Sequence, residues 1–452
     1  MAEVTIGATR CERVGVMLPA SAGFPAVLIG ILWAGRTAVP LNFLMGTTEL
    51  RPVLADAGLD VVFTVRHFES VIRELGIAAL YLENLGLKRR ILWSMLKPRR
   101  SVPRVQPGDT AVILYTSGTT GEPKGVELSY SNLYSNCVDT IEALAIDPGH
   151  RFLNILPPFH VFGLTADVLV PIVLGASVYA LPRFNPVGVV RAVAQETVTL
   201  LMGIPSMYGA ILRSKSARRE HFTSVKLAVS GGEPLPARVA AEFQERFGVR
   251  LHEGYGLTET SPVLTVCTPR HAQDGTVGRP IPHVEIRIVD EKGQRLGTCE
   301  DGEIVVRGPG VMKGYYRKPQ ETRAVVDAEG WFRTGDVGHL DPEGFLTITG
   351  RQKDMLIIGG ENVFPREIES VLEAHEGVLQ AAVIGVRDEV RGETPVAFVL
   401  PQSGPPPDEE ALRAFAKKSL AGFKVPRRIV IRDDLPTGPT GKILKRRLRD
   451  LL

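Results

Sequence analysis

Short apolar runs alternate with amphipathic stretches along residues 13–65. The runs RVGVML, TAVPLN and DVVFTV have the length of buried strands, whereas AGFPAVLIGILWAG, which ends at Gly35, and TTELRPVLADAG have the pattern of helices. The same alternation returns over residues 151–250, where RFLNILP, ASVYALP, TLLMGI and SVKLAVS read as strands. Strands that alternate with helices are typical of parallel sheets covered by helices, so the pattern predicts an α/β fold.

The pattern changes twice in the second half of the chain. Over residues 261–350, short β-like runs such as VEIRIVD, GEIVVRG and GFLTITG are separated by Gly and Asp turns, which is typical of a small β-rich subdomain. After Arg351 an α+β unit begins, with a helix that has Pro365 in its first turn and Gly377 past its end. We therefore predict a large N-terminal domain over 1–352, with the β-rich subdomain at 261–350, and a small mobile C-terminal domain over 353–452.

Composition limits the function classes. The chain has 452 residues, of which 44% are hydrophobic and 23% charged, with a net charge of +3. These values suit a soluble protein with a large core and give no support to nucleic-acid binding. The four cysteines lack metal-site spacing, so we expect reduced thiols in a cytoplasmic protein; they are Cys11, Cys137, Cys267 and Cys299.

Neither a signal peptide nor a membrane span is predicted. The start of the chain lacks the basic and then apolar run of a signal peptide. The apolar stretch 25–34 is too short to cross a bilayer, and the stretch 161–181 contains Asp167 and Pro171. We expect a buried strand and helix in that second stretch.

A loop rich in glycine and hydroxyl side chains, TSGTTGEPKG, occupies residues 116–125 after the apolar strand AVILY. Glycines allow backbone N–H groups to face an anion, hydroxyls add donors, and Lys124 adds a positive charge, which is the chemistry of a triphosphate site. A Walker A loop needs Ser or Thr after the lysine and then a helix, whereas Gly125 and the strand-like VELS follow here. Taken alone, the loop is equally consistent with a solvated hairpin.

Seven motifs in order, spread over most of the chain, resemble those of the adenylate-forming (AMP-binding) enzymes. They are YTSGTTGEPKG (115–125), LPPFHVFGL (156–164), GGEPL (231–235), EGYGLTET (253–260), WFRTGD (331–336), GRQKD (350–354) and LPTGPTGKI (435–443). The chain resembles a fatty acyl-CoA synthetase in particular. The resemblance implies the cofactors ATP and Mg²⁺, with CoA as co-substrate.

The resemblance also implies an ATP site. Its phosphate loop would contain Thr116, Ser117, Gly118, Thr119, Thr120, Gly121 and Lys124. Its adenine pocket would contain Gly232, Glu233, Glu253, Gly254, Tyr255, Gly256 and Thr258. Tyr255 would stack on adenine, Asp336 would accept hydrogen bonds from the ribose, and Arg351 would bind phosphate. Asp336 and Arg351 could otherwise form an ordinary surface ion pair.

Other residues would act on the metal, the acid and the thiol. Glu259 and Thr119 would bind Mg²⁺, although Glu259 could simply be a charge at a helix start capped by Thr258. Lys442, His160 and Arg351 would be catalytic; His160, Phe162 and Gly203 would line the acyl pocket; Lys353 would be the hinge; Gly359 and Gly360 would bind CoA. Lys442 also fits a solvated lysine in a basic tail, and His160, after an apolar strand, fits a core or turn residue.

The substrate is read from weaker signals. The stretches HVFGLTADVL and GIPSMYGAIL contain no Arg or Lys to pair with a second carboxylate, which favours a medium- or long-chain fatty acid, although plain core would look alike. The chain stops ten residues after Lys442 without a carrier domain, so CoA is the simplest acceptor and acyl carrier protein stays an alternative. Residues 85–100 mix apolar and basic side chains and fit either peripheral membrane contact or a solvated linker.

Two departures from the family pattern leave alternatives open. The segment before Arg13 is shorter than in most relatives, and residues 69–105 are idiosyncratic. They leave open a non-catalytic ATP-binding relative. The uncertain acceptor separately leaves open an acyl-acyl carrier protein synthetase or fatty acyl-AMP ligase. The intact motif residues Glu259, Arg351 and Lys442 argue against the non-catalytic alternative. A P-loop kinase is disfavoured because the Lys-Ser/Thr pair is missing after residue 123.

Overall fold

The computed structural model describes residues 1–9, 11–86, 103–117, 123–388, 392–402, 405–437 and 443–452. In these ranges the strands form four sheets, three before Lys353 and one after it. The predicted α/β class is confirmed, since parallel sheets flanked by helices make up most of the chain.

The first sheet contains the predicted N-terminal strands. Its strands are β1 (Arg13–Met17), β2 (Thr37–Pro40), β3 (Val61–Thr64), β4 (Ala78–Tyr81), β5 (Thr110–Ser117), β6 (Pro123–Ser129) and β16 (Gly314–Tyr315). Their order is β16-β6-β5-β2-β1-β3-β4, with β1 to β5 parallel and β6 and β16 antiparallel. The helices of this region are α1 (Ala2–Ala8), α2 (Gly23–Trp33), α3 (Thr47–Ala57), α4 (Glu69–Leu75) and α5 (Tyr130–Leu144). Strands β1 to β3 are largely buried because α2 packs on one face of the sheet and α3 and α4 on the other.

The second sheet continues the α/β pattern. Its strands are β7 (Arg151–Asn154), β8 (Ser177–Ala180), β9 (Leu200–Gly203), β10 (Leu227–Ser230), β11 (Leu251–Gly256), β12 (Val263–Val266) and β13 (Arg279–Pro280). The strand order is β13-β12-β11-β10-β9-β7-β8. Strands β7 to β11 are parallel, and β12 and β13 are antiparallel to their neighbours. The helices here are a π-helical segment Gly163–Leu169, α6 (Val170–Leu174), α7 (Pro186–Gln195), α8 (Pro205–Arg213) and α9 (Ala237–Phe247).

The two remaining sheets are smaller. The third is antiparallel, with β14 (Glu285–Val289), β15 (Gly302–Arg307), β17 (Phe332–Leu340) and β18 (Leu346–Arg351), and α10 (Pro319–Val325) lies between β16 and β17 in the chain. The fourth has β19 (Leu356–Ile358), β20 (Glu361–Val363), β21 (Val378–Asp388), β22 (Gly392–Pro401) and β23 (Arg428–Ile431). Its helices are α11 (Pro365–Glu373), α12 (Glu409–Ala416) and α13 (Lys445–Leu448).

Three details differ from the sequence predictions. The strands of the expected 261–350 subdomain are divided among sheets, because β12 and β13 extend the second sheet and β16 extends the first. Helix α11 ends at Glu373, before the predicted stop at Gly377. The stretch 161–181 contains the predicted helix and strand, but the strand, β8, is exposed at Val178 and Tyr179 rather than buried. No described helix is long and apolar enough to cross a bilayer. The domain boundaries and the mobility of the small domain stay predictions.

Asp167 is a buried carboxylate that ties the π-helical segment to the end of β7. It is 1% exposed, and its Oδ2 accepts hydrogen bonds from the amides of Ile155 (3.2 Å) and Leu156 (3.1 Å). Burial raises the pKa of Asp167 to about 8, although the two amide donors oppose the shift. The folded protein therefore holds this carboxyl protonated at neutral pH.

The Asp167→Asn variant is expected to lose less stability than the wild type as the pH rises from 6 to 8. Below pH 8 the folded state binds a proton that the unfolded state has released. The unfolding free energy of the wild type therefore falls by roughly 1 kcal/mol for each unit that the pH rises, and it levels off above pH 8. Asparagine accepts the same two amide hydrogen bonds and has no such proton. Denaturant unfolding at three pH values measures the slopes. Asp274→Asn, at a side chain 96% exposed, should keep the wild-type slope. Equal slopes for wild type and Asp167→Asn would contradict this reasoning.

Candidate active site

The carboxyl ends of the parallel strands of the second sheet gather many of the predicted residues at one edge. His160 follows β7, Gly203 ends β9, Gly232 follows β10, and Tyr255 lies near the end of β11. Ligands of open α/β sheets bind at this edge, because the strands leave a crevice there between the connecting loops. The crevice is therefore the place where the nucleotide and the acid would meet.

The phosphate loop lies in a hairpin rather than before a helix. Strands β5 and β6 are antiparallel, and Thr116 is opposite Lys124 in their register. The predicted strand after the loop is thus confirmed, and the arrangement differs from that of a Walker A loop. Ser117 ends β5, whereas Gly118, Thr119, Thr120 and Gly121 lie outside the described residues.

Lys124 lies within a cluster that the sequence did not predict. Its ammonium forms an ion pair with Glu321 of α10 and lies 5.3 Å from the ring centroid of Tyr315. The hydrogen bond from Lys124 lowers the pKa of Glu321 below its usual value. The Tyr315 hydroxyl donates a hydrogen bond of 3.0 Å to Oε1 of Glu259, the predicted metal ligand. The predicted phosphate lysine and the predicted metal carboxylate therefore share one neighbouring side chain.

Asp336, Arg351 and Tyr255 form a connected group. Asp336 on β17 is 2% exposed and lies directly opposite Arg351 on β18. Its Oδ1 is 2.7 Å from Nε of Arg351, and its Oδ2 accepts a hydrogen bond of 2.6 Å from the Tyr255 hydroxyl. Burial, with Asp336 adding to it, raises the pKa of Tyr255, so this hydroxyl stays a donor. A buried carboxylate with two partners differs from an ordinary surface ion pair.

The residues around Tyr255 are held by the backbone. Gly256 precedes a reversal into β12, and a Cβ on it would lie 1.9 Å from the carbonyl oxygen of Pro262, so no larger residue fits. Gly254, also on β11, pairs with Val266 across that reversal. The close approach of the Pro262 carbonyl explains why glycine occupies position 256, without any role in nucleotide binding.

The turns after β10 and β11 contain the rest of the predicted adenine pocket. Gly232 and Glu233 follow β10, and Thr258 begins the 3₁₀ turn Thr258–Thr260 that carries Glu259. Glu253 accepts a hydrogen bond of 2.9 Å from the Leu235 amide. Burial raises the pKa of Glu253 to about 7, so it is near its titration point at neutral pH. The hydrogen bond connects the end of β11 to the turn after β10.

His160 lies farther from a strand than the sequence predicted. Strand β7 ends at Asn154, and His160 begins the helical stretch beyond the loop that Asp167 holds. Its Nδ1 accepts a hydrogen bond of 3.3 Å from the Phe162 amide. The Phe162 ring reaches Gly231, where a Cβ would lie 3.4 Å away, and the Gly231 amide donates to the Gly203 carbonyl. His160, Phe162 and Gly203 therefore surround one region of the crevice.

The small-domain residues divide into described and undescribed ones. Lys353 is exposed in the 3₁₀ turn Gln352–Asp354 between β18 and β19. Gly359 and Gly360 form the two-residue turn between β19 and β20, with φ of +62° and +89°. Such a hairpin turn favours glycine in both positions, which explains the pair without a ligand. Lys442 lies outside the described residues.

The remaining sequence predictions concern metals and cysteines. In the described ranges, no group of three or more His, Cys, Asp or Glu side chains is arranged to hold a metal ion. All four cysteines are free thiols, and Cys137 and Cys267 are buried.

Comparison with known proteins identifies the family. The model for "AMP-binding enzyme" matches residues 4–316, and that for "AMP-binding enzyme C-terminal domain" matches residues 367–442. A long-chain-fatty-acid–CoA ligase of Bacillus subtilis is 35% identical, over 98% of this chain and 86% of its own. A feruloyl-CoA synthase of an Amycolatopsis species is 37% identical, over 97% and 88% respectively.

Two solved structures share the fold. ATP-bound MatB from Rhodopseudomonas palustris superimposes with a TM-score of 0.89 at 32% identity, over 100% of this chain and 91% of that one. The o-succinylbenzoate CoA synthetase of Bacillus subtilis, in complex with ATP and magnesium, gives 0.85 at 29% identity, over 99% and 91%. The motifs, the crevice and these matches over nearly the full length agree, and the chain belongs to the AMP-binding enzyme family.

Proposed function

We propose that this enzyme, an AMP-forming acid–CoA ligase by family, activates a medium- or long-chain fatty acid with ATP and transfers it to CoA. The observation that carries the proposal is the buried Asp336, which joins Tyr255 of the second sheet to Arg351 at the end of the third. A carboxylate in this place can accept hydrogen bonds from a ribose diol, while Arg351 and Lys124 face the anionic part of the nucleotide.

The first step needs positioning and positive charge rather than a base. An oxygen of the acid, already ionised at pH 7, attacks the α-phosphorus of ATP. The bond from that phosphorus to the bridging oxygen breaks, and pyrophosphate leaves with acyl-AMP remaining. Two anions approach each other here, so Lys124, Arg351 and Lys442 would stabilise the charge that develops.

The donor set near the phosphate hairpin fits Mg²⁺. Glu259 offers carboxylate oxygen, the hard donor that Mg²⁺ prefers alongside phosphate oxygens and water. Glu259, with the hydroxyl of Thr119, would hold the ion, which when bound neutralises charge on the phosphates. The Tyr315 hydrogen bond to Oε1 keeps this carboxylate oriented.

In the second step, the CoA thiol attacks the acyl carbon, the thiol proton passes to solvent, and AMP leaves. Lys353 would act as the hinge that reorients the small domain between the steps, and Gly359 and Gly360 would then approach the thiol arm. In the structure, residues after Lys353 pack on residues before it: a Cβ on Gly350 would lie 2.4 Å from the Phe364 ring, and Arg238 donates to the Glu376 carbonyl at 2.8 Å.

The apolar lining supports the choice of a fatty acid. The stretches 160–169 and 203–212, which carry Phe162 and Gly203, contain no Arg or Lys, and the Bacillus relative is named for long-chain fatty acids. The feruloyl-CoA synthase shows that relatives of equal similarity have other acids in their names. Acyl carrier protein as acceptor, membrane contact through residues 85–100 and a cytoplasmic location stay predictions.

A panel of acids tests the proposal directly. Pyrophosphate and AMP release should be highest with fatty acids of medium or long chain and should need ATP and Mg²⁺. Parallel reactions with ferulate, a dicarboxylic acid and no acid serve as controls, and each is run with CoA or with acyl carrier protein. Equal or greater release with ferulate would overturn the fatty-acid assignment. No release with any acid would overturn the proposal that the chain is an active ligase.

The Lys442→Ala variant should abolish adenylation without abolishing ATP binding. The lysine would act on the charge of the transition state, so its loss is expected to slow acyl-AMP formation by roughly 100-fold or more. Single-turnover formation of acyl-AMP and calorimetric ATP binding separate the two effects. Arg446→Ala, at an exposed position of the same basic tail, is the matched control. Normal adenylation by Lys442→Ala would reject the assigned role.

The Asp336→Asn variant should weaken ATP binding more than acid binding. It removes the charge of the oxygens that would accept hydrogen bonds from the ribose, and a hydrogen bond to a charged group accounts for about ten-fold or more in affinity. The measurement is KM for ATP and for the acid. Asp301→Asn removes a similar carboxylate from His339 on the surface of the same sheet and should leave both values near wild type. An unchanged KM for ATP in Asp336→Asn would exclude Asp336 from the nucleotide site.

A further inference from the structure

Tyr315 lies where three segments distant in the sequence meet. Strand β16 pairs with β6 so that Gly314 is opposite Glu127 and Tyr315 opposite Val126. Lys124 lies two residues before Val126 and therefore on the same face of the sheet, as a diagonal neighbour of Tyr315. The register explains why the Lys124 ammonium lies 5.3 Å from the Tyr315 ring centroid.

The backbone around Tyr315 is fixed on both sides. The Met312 amide donates a hydrogen bond of 2.8 Å to the carbonyl of Glu259, and the Tyr316 amide donates one of 2.7 Å to the carbonyl of Gly125. The Tyr315 amide itself donates to Oγ1 of Thr322 at 2.9 Å. The segment thus joins the Glu259 turn to the phosphate hairpin through the main chain.

The Tyr315 side chain makes two different contacts within this frame. Its hydroxyl donates to Oε1 of Glu259 at 3.0 Å, and its ring lies within cation–π distance of Lys124. The hydrogen bond fixes the rotation of the carboxylate, and the ring stands beside the ammonium. Glu259 and Lys124 attract each other by charge, and a direct pair between them would neutralise both.

We propose that Tyr315 is a positioning residue that orients Glu259 toward a divalent cation, while its ring stands beside Lys124, which pairs with Glu321 until phosphates bind. The inference rests on the proposed function, because it assumes that the two side chains bind a metal–triphosphate. It adds a residue that none of the seven motifs contains. A tyrosine that only fills space would need its ring but not its hydroxyl.

The Tyr315→Phe variant separates these roles, since it keeps the ring and removes the hydroxyl. ATP binding is measured by calorimetry without acid, once with Mg²⁺ and once with EDTA. Loss of the hydroxyl should weaken binding with Mg²⁺ by about ten-fold, the usual effect of a hydrogen bond to a charged group, and leave binding in EDTA unchanged. Binding in EDTA also reports that the variant is folded.

Two controls make the outcome specific. Tyr130→Phe removes a hydroxyl that donates to the Leu32 carbonyl at 3.1 Å, at a position outside the proposed site, and should bind like wild type in both conditions. In a Glu259→Gln background, Tyr315→Phe should have little further effect on binding with Mg²⁺, because it acts through Glu259.

The outcomes distinguish this inference from the proposed function. If wild type binds ATP more tightly with Mg²⁺ but Tyr315→Phe binds equally well, the positioning role is overturned and the ligase remains. If wild type binds ATP in neither condition, the proposed function itself fails. A loss of the same size with Mg²⁺ and in EDTA would reduce Tyr315 to a packing residue.

Discussion

The site depends on one buried carboxylate. Asp336 is 2% exposed, and an ionised group at such depth needs partners on both oxygens. Those partners come from Tyr255 of the second sheet and Arg351 of the third, so a single group connects two sheets. Arg351 also ends β18, two residues before Lys353, and its contact with Asp336 fixes the point from which the chain continues to the predicted hinge. The predicted nucleotide site and the predicted domain boundary therefore share one electrostatic constraint.

The same principle governs the phosphate side of the crevice. Lys124 is paired with Glu321, and Arg351 with Asp336, so each of these cations already has an anionic partner when no nucleotide is bound. A paired cation stays in one place and repels its neighbours less than a bare one would. In the proposed function, incoming phosphates would compete with Glu321 for Lys124, whereas Asp336 would still accept hydrogen bonds from the sugar. ATP would therefore replace Glu321 as the partner of Lys124, whereas it would add hydrogen bonds to Asp336 without breaking the pair with Arg351.

The sequence predicted the α/β fold well because that fold rests on local signals. Apolar runs marked β1 to β3 and β7, and the glycine-rich loop with Lys124 could be read from ten residues. Prediction from the sequence failed where a contact depends on pairing between segments that are distant in the chain. Strand β16 is two residues long and joins the first sheet nearly two hundred residues after β6, so no local pattern reveals that Tyr315 lies beside Lys124. The burial of Asp167 and the distance of His160 from β7 have the same origin, since tertiary packing decides both.

The difference between local signals and tertiary packing also explains why the sequence predicts ATP as a substrate more readily than it predicts the acid. Triphosphate and ribose require charges and hydrogen-bond donors, and residues such as Lys124, Asp336 and Arg351 stand out among apolar neighbours. A hydrocarbon chain requires only space lined by apolar atoms, which the sequence cannot distinguish from core. The Phe162 ring lies beside Gly231, and the Gly231 amide donates to the Gly203 carbonyl, so the space between them is set by the distance between a loop and a sheet edge. The choice of acid would then depend on a few such distances, and relatives of this chain are named for different acids.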